Sequence, residues 1–524
     1  MKRNSIAAIL LVNLAIFSVS LAAQENDARH QPSHKLRYKL VDLGTLGGPI
    51  SYGSPNGVGF RLLNDSGTVA SYADLAVPDP NASFFCYADC FQAHAFQWKN
   101  GVITDLGALP ENNNSAAGAI NSRGWATGQS QSSTIDPVLG FPEFRAVLWK
   151  HGQIIDLGTL GSGTESLGIW VNDAGQVIGF STVNTEPDPV GAFGFPTHTF
   201  IWQNGHKLDI GTLGGDDTTP GASCSHPPEG MVWGASTTSS VPNADTGVPT
   251  QAPFLWDHGK MTDLGTLGGT FGFAQCTNSR HQVIGGSSLA ETPIACTDGR
   301  LTGCHAFLWE DGQMRDLGTL GGPNSEAIWI NESGLIVGSA DFPRPQPGVN
   351  PHDAVIWKNG KIKDLGTVDS DACSRAYGLN ERGQVVGTSS DCVNALHAFI
   401  WEEGGPMLDL NKLIAPGSGL QLTNAIDIND RGEILARSIP IGTTPVDDED
   451  LGHLVLLVPC GDDDREDDCA EHGRSDDAAP ATGSAPVVVR PASKAVRSDS
   501  WIARDLAYGW QYRLHTQFRL QQER

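Results

Sequence analysis

The sequence predicts an all-β protein, a closed β-propeller of eight four-stranded antiparallel blades, with seven as the alternative count. Three observations predict it. The motif Asp-Leu-Gly recurs at Asp42, Asp105, Asp156, Asp263, Asp316 and Asp364, with Asp209 and Asp409 as looser copies, at intervals of 63, 51, 53, 54, 53, 48 and 45 residues. A period of that size marks units that cannot bury their apolar faces alone and must be completed by neighbours. Between these landmarks lie two kinds of tight turn separated by short apolar runs, which describes antiparallel strands. Finally, the last copy ends in a third strand, His453 to Val458, that lacks its hairpin partner. The N-terminal strand around Lys39 to Leu43 can supply it and close the ring.

Residues 1–23 read as a secretory signal peptide, with Lys2 and Arg3 before an apolar stretch and Ala22-Ala23 at its end. Residues 24–37 read as an N-terminal linker. The propeller occupies 38–460. Within it the first turn is Asn-x-x-Gly, at Asn64, Asn121, Asn172, Asn331, Asn380 and Asn429. Asn at the first position bonds the local backbone and Gly at the last tolerates positive φ. Two units deviate: His281 follows Asn278 where Gly is expected, and the fourth unit keeps only Gly230 to Gly234. A small residue stands four before the Asn, as in Ala117, Gly168, Ala327, Ala376 and Ala425, which suits the crowded centre of a radial array.

The second turn is a two-residue hairpin: Asn100-Gly101, His151-Gly152, Asn204-Gly205, His258-Gly259, Asp311-Gly312 and Asn359-Gly360. Such pairs select type I′ turns. A two-residue turn then sets Trp98 opposite Ile103, Trp149 opposite Ile154, Trp202 opposite Lys207, Trp256 opposite Met261, Trp309 opposite Met314 and Trp357 opposite Ile362. Apolar residues on the other face of the same ribbon, such as Ala306, Leu308 and Leu317, imply a sheet covered on both sides.

The runs HAFLW, DLGTLGG and INESGLIVGSA resemble the HAF-repeat family of extracellular bacterial repeat proteins over about residues 38–459. The resemblance implies export and a repeat fold. It brings no catalytic residues with it.

Beyond the repeats, residues 461–498 are acidic and then rich in Ala, Pro and Ser, a composition that buries too little apolar surface to fold. Residues 499–524 form a basic amphipathic segment with Ile502, Leu506, Trp510, Leu514 and Phe518 at fourfold spacing. It reads as a helix docked on the propeller or a disordered end, with an envelope-docking segment as the alternative. A formal charge of −25 argues against nucleic acid as a partner. The mature chain carries no transmembrane helix and is expected to be a monomer.

In an exported chain ten cysteines point to disulfides. The natural pairs are Cys86 with Cys90, Cys296 with Cys304, Cys373 with Cys392 and Cys460 with Cys469, leaving Cys224 with Cys276. No metal or other cofactor is expected, since a zinc site would need tighter Cys or His clusters. Neither the repeated Asp nor His94, His198, His305, His397 and His453 reads as catalytic. Chemistry needs a residue once or twice, whereas a turn needs it in every unit, and the Asp is expected to accept backbone hydrogen bonds.

Function is therefore expected where units differ, in the connections between second and third strands: 72–92, 131–143, 182–197, 236–251, 288–303 and 341–351. In a ring these emerge on one face, and variable loops on a rigid scaffold are where binding resides. The candidate ligand contacts are Phe84, Phe85, Tyr87, Phe91, Phe141, Phe144, Phe193, Phe195 and Phe342, as exposed rings for a glycan or a cell-envelope or matrix protein. The alternative is that they pack their own loops. A non-enzymatic binding scaffold is the leading expectation. A glycosidase or lyase in the axial funnel, or a purely structural surface protein, are the alternatives.

Overall fold

The structure, a computed structural model, describes residues 36–461 apart from 54–59, 80–90, 110–113, 189, 223–227, 245, 291–302, 344–350, 393 and 444–451. The expected signal peptide and most of the N-terminal linker lie outside the described residues, as do the C-terminal segment and all but the first residue of the acidic linker.

The strands form eight four-stranded antiparallel sheets arranged in a ring, a β-propeller. Blade 5 typifies them: Gly268–Thr277, Val283–Leu289, Cys304–Glu310 and Gln313–Asp316 pair in that order. First strands of successive blades pack against one another at several junctions, which puts them nearest the axis. The weakest unit still forms blade 4, from Thr218–Pro220, Met231–Thr237, Gln251–Asp257 and Lys260–Asp263, so the count is eight and not seven.

Closure follows the expected route. Blade 8 takes three strands from the chain's end, Leu420–Ile428, Ile434–Pro440 and His453–Pro459, and its fourth from Tyr38–Asp42, with Tyr38 opposite Pro459 and Asp42 opposite Val455. On the axial side Asp427 Oδ2 accepts the N–H groups of Leu62 and Leu63, each at 2.9 Å. Blade 1 needs this cap because its first strand, Gly47–Tyr52, stops early and Leu63 makes only an isolated bridge to Val69.

The hairpins have the expected register. All six Trp residues face the predicted partners. The first turn residues Asn100, His151, Asn204, His258, Asp311 and Asn359 have φ between 46 and 54°, and the glycines after them are also positive, as type I′ turns require. At the axis the small residues meet small partners: Ala117 opposite Gly128, Gly168 opposite Gly179, Ala327 opposite Gly338 and Ala376 opposite Gly387. A register shift follows each pair, and it brings backbone close to backbone. A Cβ on Gly338 would stand 1.9 Å from the Glu326 carbonyl oxygen.

The Asn-x-x-Gly turns do more than reverse the chain. Asn331 Oδ1 accepts the N–H groups of Ser333 and Leu335 at 3.1 and 3.0 Å, while its Nδ2 donates to the Asn380 carbonyl at 3.2 Å in the next blade. The same link joins Asn64 to Asn121, Asn121 to Asn172, Asn278 to Asn331, Asn380 to Asn429, and Asn429 back to Asn64. A belt of side-chain amides thus runs around one end of the axis. The direct Asn link stops at blade 4, whose first turn has no Asn; there Asn172 Nδ2 donates to Gln176 Oε1, which also accepts the Gly230 N–H of blade 4 at 3.1 Å.

Candidate functional site

Because strands alternate in direction, the Asn turns and type I′ hairpins share one face. The second-to-third connections and the Asp-Leu-Gly segments share the other, the loop face. Each Asp of the motif behaves alike. In all eight units its carboxylate accepts the N–H two residues on, at 2.7 to 2.9 Å. In four it also bonds Nδ1 of the repeated His: His94 with Asp105, His198 with Asp209, His305 with Asp316 and His453 with Asp42. Partial burial pushes the Asp105, Asp209 and Asp316 carboxyls up, but the His and Gly hydrogen bonds outweigh it and hold them below the usual range. These residues are structural, and the His pairing adds a role that spacing alone did not reveal. His397 breaks step and bonds Asp371, since Asp409 is engaged by both nitrogens of Asn411.

Blade 6 is an informative exception. Its third strand, His352–Lys358, places Asp353 where blades 1, 3, 5, 7 and 8 have the His and blades 2 and 4 have Arg145 and Ala252, against Asp364. Burial and then the neighbouring Asp364 carboxylate push Asp353 up to about 7.

A second repeated position stands just before the first-strand Ser or Thr. In six of the eight blades that hydroxyl ties the blade to its predecessor, as Ser325 Oγ does by accepting Ala306 N–H at 3.0 Å. The residue before it also caps the preceding blade. Asn114 Oδ1 accepts Ala93 N–H at 2.8 Å, and Asn324 Oδ1 accepts Gly303 N–H at 3.1 Å. In blades 3 and 4 this position is acidic. Glu165 Oε2 accepts Phe144 N–H at 2.6 Å and Asp217 Oδ1 accepts Thr197 N–H at 2.9 Å, with both carboxyls buried. Burial pushes Glu165 up to about 9, aided by Asp136 and Glu143 and opposed by the Phe144 N–H and Arg145. Burial and Asp188 push Asp217 up to about 8. Neither residue was singled out in the sequence, although aligning the units on Ser115, Ser166, Thr218 and Ser325 exposes the change from amide to acid.

The aromatic candidates divide. Phe84, Phe85 and Tyr87 lie outside the described residues. Phe91 and Phe342 are half-buried. Phe141, Phe144, Phe193 and Phe195, expected to be exposed, are buried, and this corrects the expectation. Phe141 meets Phe144 edge-on at 5.9 Å between centroids, and Phe144 stacks on Phe193 at 6.3 Å. These rings belong to an apolar cluster that includes the stacked pair Trp170 and Trp233. The loops fold back because four rings bury more apolar area in contact with one another than they would facing water. Two connections are also shorter than expected, since second strands continue to Pro78 and Ile135. Among the described residues the large apolar side chains that the loop face exposes are aliphatic. Val77, Ile135, Val138, Val241 and Ile441 are exposed on or beside these connections, whereas Val102 and Leu208 sit on fourth strands.

Cys373 and Cys392 are disulfide-bonded, with Cα atoms 5.0 Å apart. Cys276, Cys304 and Cys460 are also disulfide-bonded, while Cys86, Cys90, Cys224, Cys296 and Cys469 lie outside the described residues. No group of three or more His, Cys, Asp or Glu among the described residues is arranged to hold a metal ion. A small cavity lined by Tyr72, Ala93, Asn114, Ser115, Ala116, Gln129 and Phe144 has no carboxylate in its wall.

No family model matches the chain, and no curated protein matches its sequence. Solved structures do resemble it. They include the β-propeller domain of the trilobed protease from Pyrococcus furiosus, at 11% identity and a TM-score of 0.38, covering 65% of this chain and 92% of that one. TolB from Acinetobacter baumannii is similar at 11% identity and a TM-score of 0.31, covering 81% and 96%. An ulvan lyase of polysaccharide lyase family 25 is similar at 10% identity and a TM-score of 0.33, covering 81% and 98%. These likenesses concern fold alone. Among the described residues no helix is long and apolar enough to cross a membrane.

Proposed function

We propose that the chain is an exported HAF-repeat scaffold without catalytic activity, which binds a glycan or a cell-envelope or matrix protein through its loop face. The observation that carries this reading is the asymmetry between faces. The turn face repeats the same Asn and Gly in most blades, whereas on the loop face the second-to-third connections differ from unit to unit and carry Val77, Ile135, Val138, Val241 and Ile441 into solvent. Isolated exposed aliphatics are ordinary; their gathering on the variable face of a rigid ring is what a partner would use. The repeated Asp and His support the same reading, because their hydrogen bonds are made within the scaffold in unit after unit.

A glycosidase reading would need paired carboxylates in an open pocket. Among the described residues Glu165 and Asp136 are buried inside a blade junction, Asp217 is buried beside a half-buried Asp188, and Asp353 is buried beside an exposed Asp364. None of these carboxyls lines the small cavity at Tyr72 and Asn114. The test is a glycan array and an envelope-protein pull-down with the exported chain, repeated with Ile135, Val138 and Val241 replaced by serine. A specific ligand lost on replacement is the expected result. No specific ligand in either assay, or equal binding by the replaced chain, would overturn the reading.

A further inference from the structure

Glu165 and Asp217 occupy the junction position that Asn114 and Asn324 hold in blades 2 and 6. An amide accepts the neighbouring N–H at any pH, but a carboxyl in the same place titrates. Each of the two also faces an acidic residue from the connection of the preceding blade, Asp136 for Glu165 and Asp188 for Asp217. Around Glu165 stand Asp136 and Glu143, with Arg145 as the counter-charge; Arg145 is bound to Glu143 at 2.6 Å. Around Asp217 stand Asp188 and Asp216.

Those facing carboxylates build the loops themselves. Asp136 Oδ1 accepts the N–H groups of Val138 and Leu139, both at 2.7 Å, and Asp136 N–H donates to the Phe141 carbonyl at 2.8 Å. Asp188 Oδ1 accepts from Val190 at 2.9 Å and Gly191 at 3.3 Å, and Asp188 N–H donates to the Gly194 carbonyl at 2.7 Å. A Cβ on Gly191 would stand 2.9 Å from Asp217 Oδ1, so the loop backbone rests on the junction carboxyl. Asp136 and Glu165 are fully buried, and Asp136 Oδ2 and Glu165 Oε1 have no hydrogen-bond partner among the described residues. Two carboxylates cannot both ionise in such a dry space without moving apart.

We propose that these two carboxyl clusters form a proton-operated latch. With Glu165 and Asp217 protonated, segments 136–141 and 190–196 lie closed over Phe141, Phe144, Phe193 and Phe195; when they ionise, the segments release and the rings reach solvent. The proposal deepens the loop-face reading, since it regulates that same face, but its test involves no ligand. The sign follows from the raised values, about 9 for Glu165 and about 8 for Asp217. An acid raised in the closed state favours closure most in acid, and that preference declines as pH climbs from the ordinary carboxyl range to the raised value. The latch is therefore closed at neutral pH and opens in mild alkali.

The test is hydrogen–deuterium exchange on the whole chain from pH 6 to pH 10, corrected for the intrinsic pH dependence of exchange. Peptides covering 136–145 and 190–197 should lose protection by roughly tenfold or more between pH 7 and pH 10, the change expected for about one unit of differential titration. The third-strand starts at 91–95 and 303–306, capped by Asn114 and Asn324, should keep theirs and so report that the ring is intact. The E165Q/D217N chain should hold all four sites protected throughout. Unchanged protection at 136–145 and 190–197 up to pH 10, or equal loss at the Asn-capped sites, would overturn the latch. So would equal alkaline opening in the double variant. Should that variant fail to fold, the comparison of acid-capped with Asn-capped junctions within the unmodified chain decides the matter alone.

Discussion

The two faces of the ring obey different rules. On the turn face one solution is repeated: an Asn side chain closes its own turn and reaches the next blade, and the chain of such links passes from Asn429 to Asn64 and so through the closure. On the loop face each junction solves its problem separately, with Asn at two positions, Glu165 and Asp217 at two others, and Cys373 Sγ accepting the His352 N–H in blade 7. The turn face is thus constrained by closure, since every unit must present the same geometry to its neighbour. The loop face is constrained only by having its polar groups satisfied, which leaves room for residues chosen on other grounds.

The largest effect that separates the faces is expected at the closure. Asp427 is fully buried and caps two N–H groups that no strand partner reaches. Burial pushes its carboxyl up to about 6, against the pull of the Leu63, Leu62 and Ile428 N–H groups and of Arg61. Asp427→Ala should cost about 2–5 kcal/mol, the sum of two orphaned buried donors, read by equilibrium urea denaturation. A loss below about 1 kcal/mol would mean that the strand Tyr38–Asp42 alone closes the ring.

That difference between faces also explains what was legible in the residues. The Trp pairings could be read because a two-residue type I′ turn leaves no freedom in register: once Asp311-Gly312 is the turn, Trp309 must meet Met314. Closure could be read from a strand missing at one end and spare at the other. The aromatic loops could not, because periodicity says nothing about a segment that does not repeat, and Phe144 is exposed or buried according to where Phe193 lands from another blade. Lys207 shows the same limit within the repeats. Its place opposite Trp202 was legible, but its ammonium, which sits over the Phe200 ring of its own blade at 4.1 Å, also donates to the Gly158 carbonyl, a contact that crosses a blade junction. Glu165 and Asp353 were within reach of an alignment of the units, which sets Glu165 level with Asn114 and Asn324 and Asp353 level with His94, His198, His305, His397 and His453.

The next effect tests whether the Asn belt is cooperative. Asn331 is buried and serves its own turn and the Asn380 carbonyl at once. Asn331→Ala should cost about 2–3 kcal/mol by denaturation, since it leaves a buried N–H and a buried carbonyl unserved. Asn172 supplies the contrast, as its side-chain nitrogen bonds within its own turn, to Gln176. If Asn172→Ala costs as much as Asn331→Ala, the interblade link adds nothing and the belt is a set of independent turns.

On the loop face the expected effect is smaller and depends on pH. Asp353 stands where a His would pair with Asp364, and its raised carboxyl means that stability falls as pH rises from the ordinary carboxyl range to about 7. Asp353→His should rebuild the pairing of His305 with Asp316 and stabilise the chain by about 1–2 kcal/mol at pH 8, with little gain at pH 4. Thermal unfolding at the two pH values measures it. Equal gains at both would show that side-chain packing, rather than charge, separates blade 6 from blade 5.

The smallest effect returns to the turn face, at the one Asn turn that departs from its own rule. His281 occupies the Gly position of the Asn278 turn with φ of 60°, yet its N–H still donates to the Asn278 carbonyl at 3.1 Å, so the turn keeps its shape against the preference of its residue. A side chain in the left-handed region costs roughly 1 kcal/mol, and glycine would relieve it while giving back part of that through greater freedom in the unfolded chain. The contact between His281 and Asp257, 3.6 Å and half-exposed, offsets little. His281→Gly should therefore raise stability by about 0.5 kcal/mol, resolved as a shift in the urea midpoint at unchanged slope. A loss instead would mean that His281 does something at this turn that the other blades do not need. The turn face would then hold a specialised position of its own, and the division of labour between the two faces would not be complete.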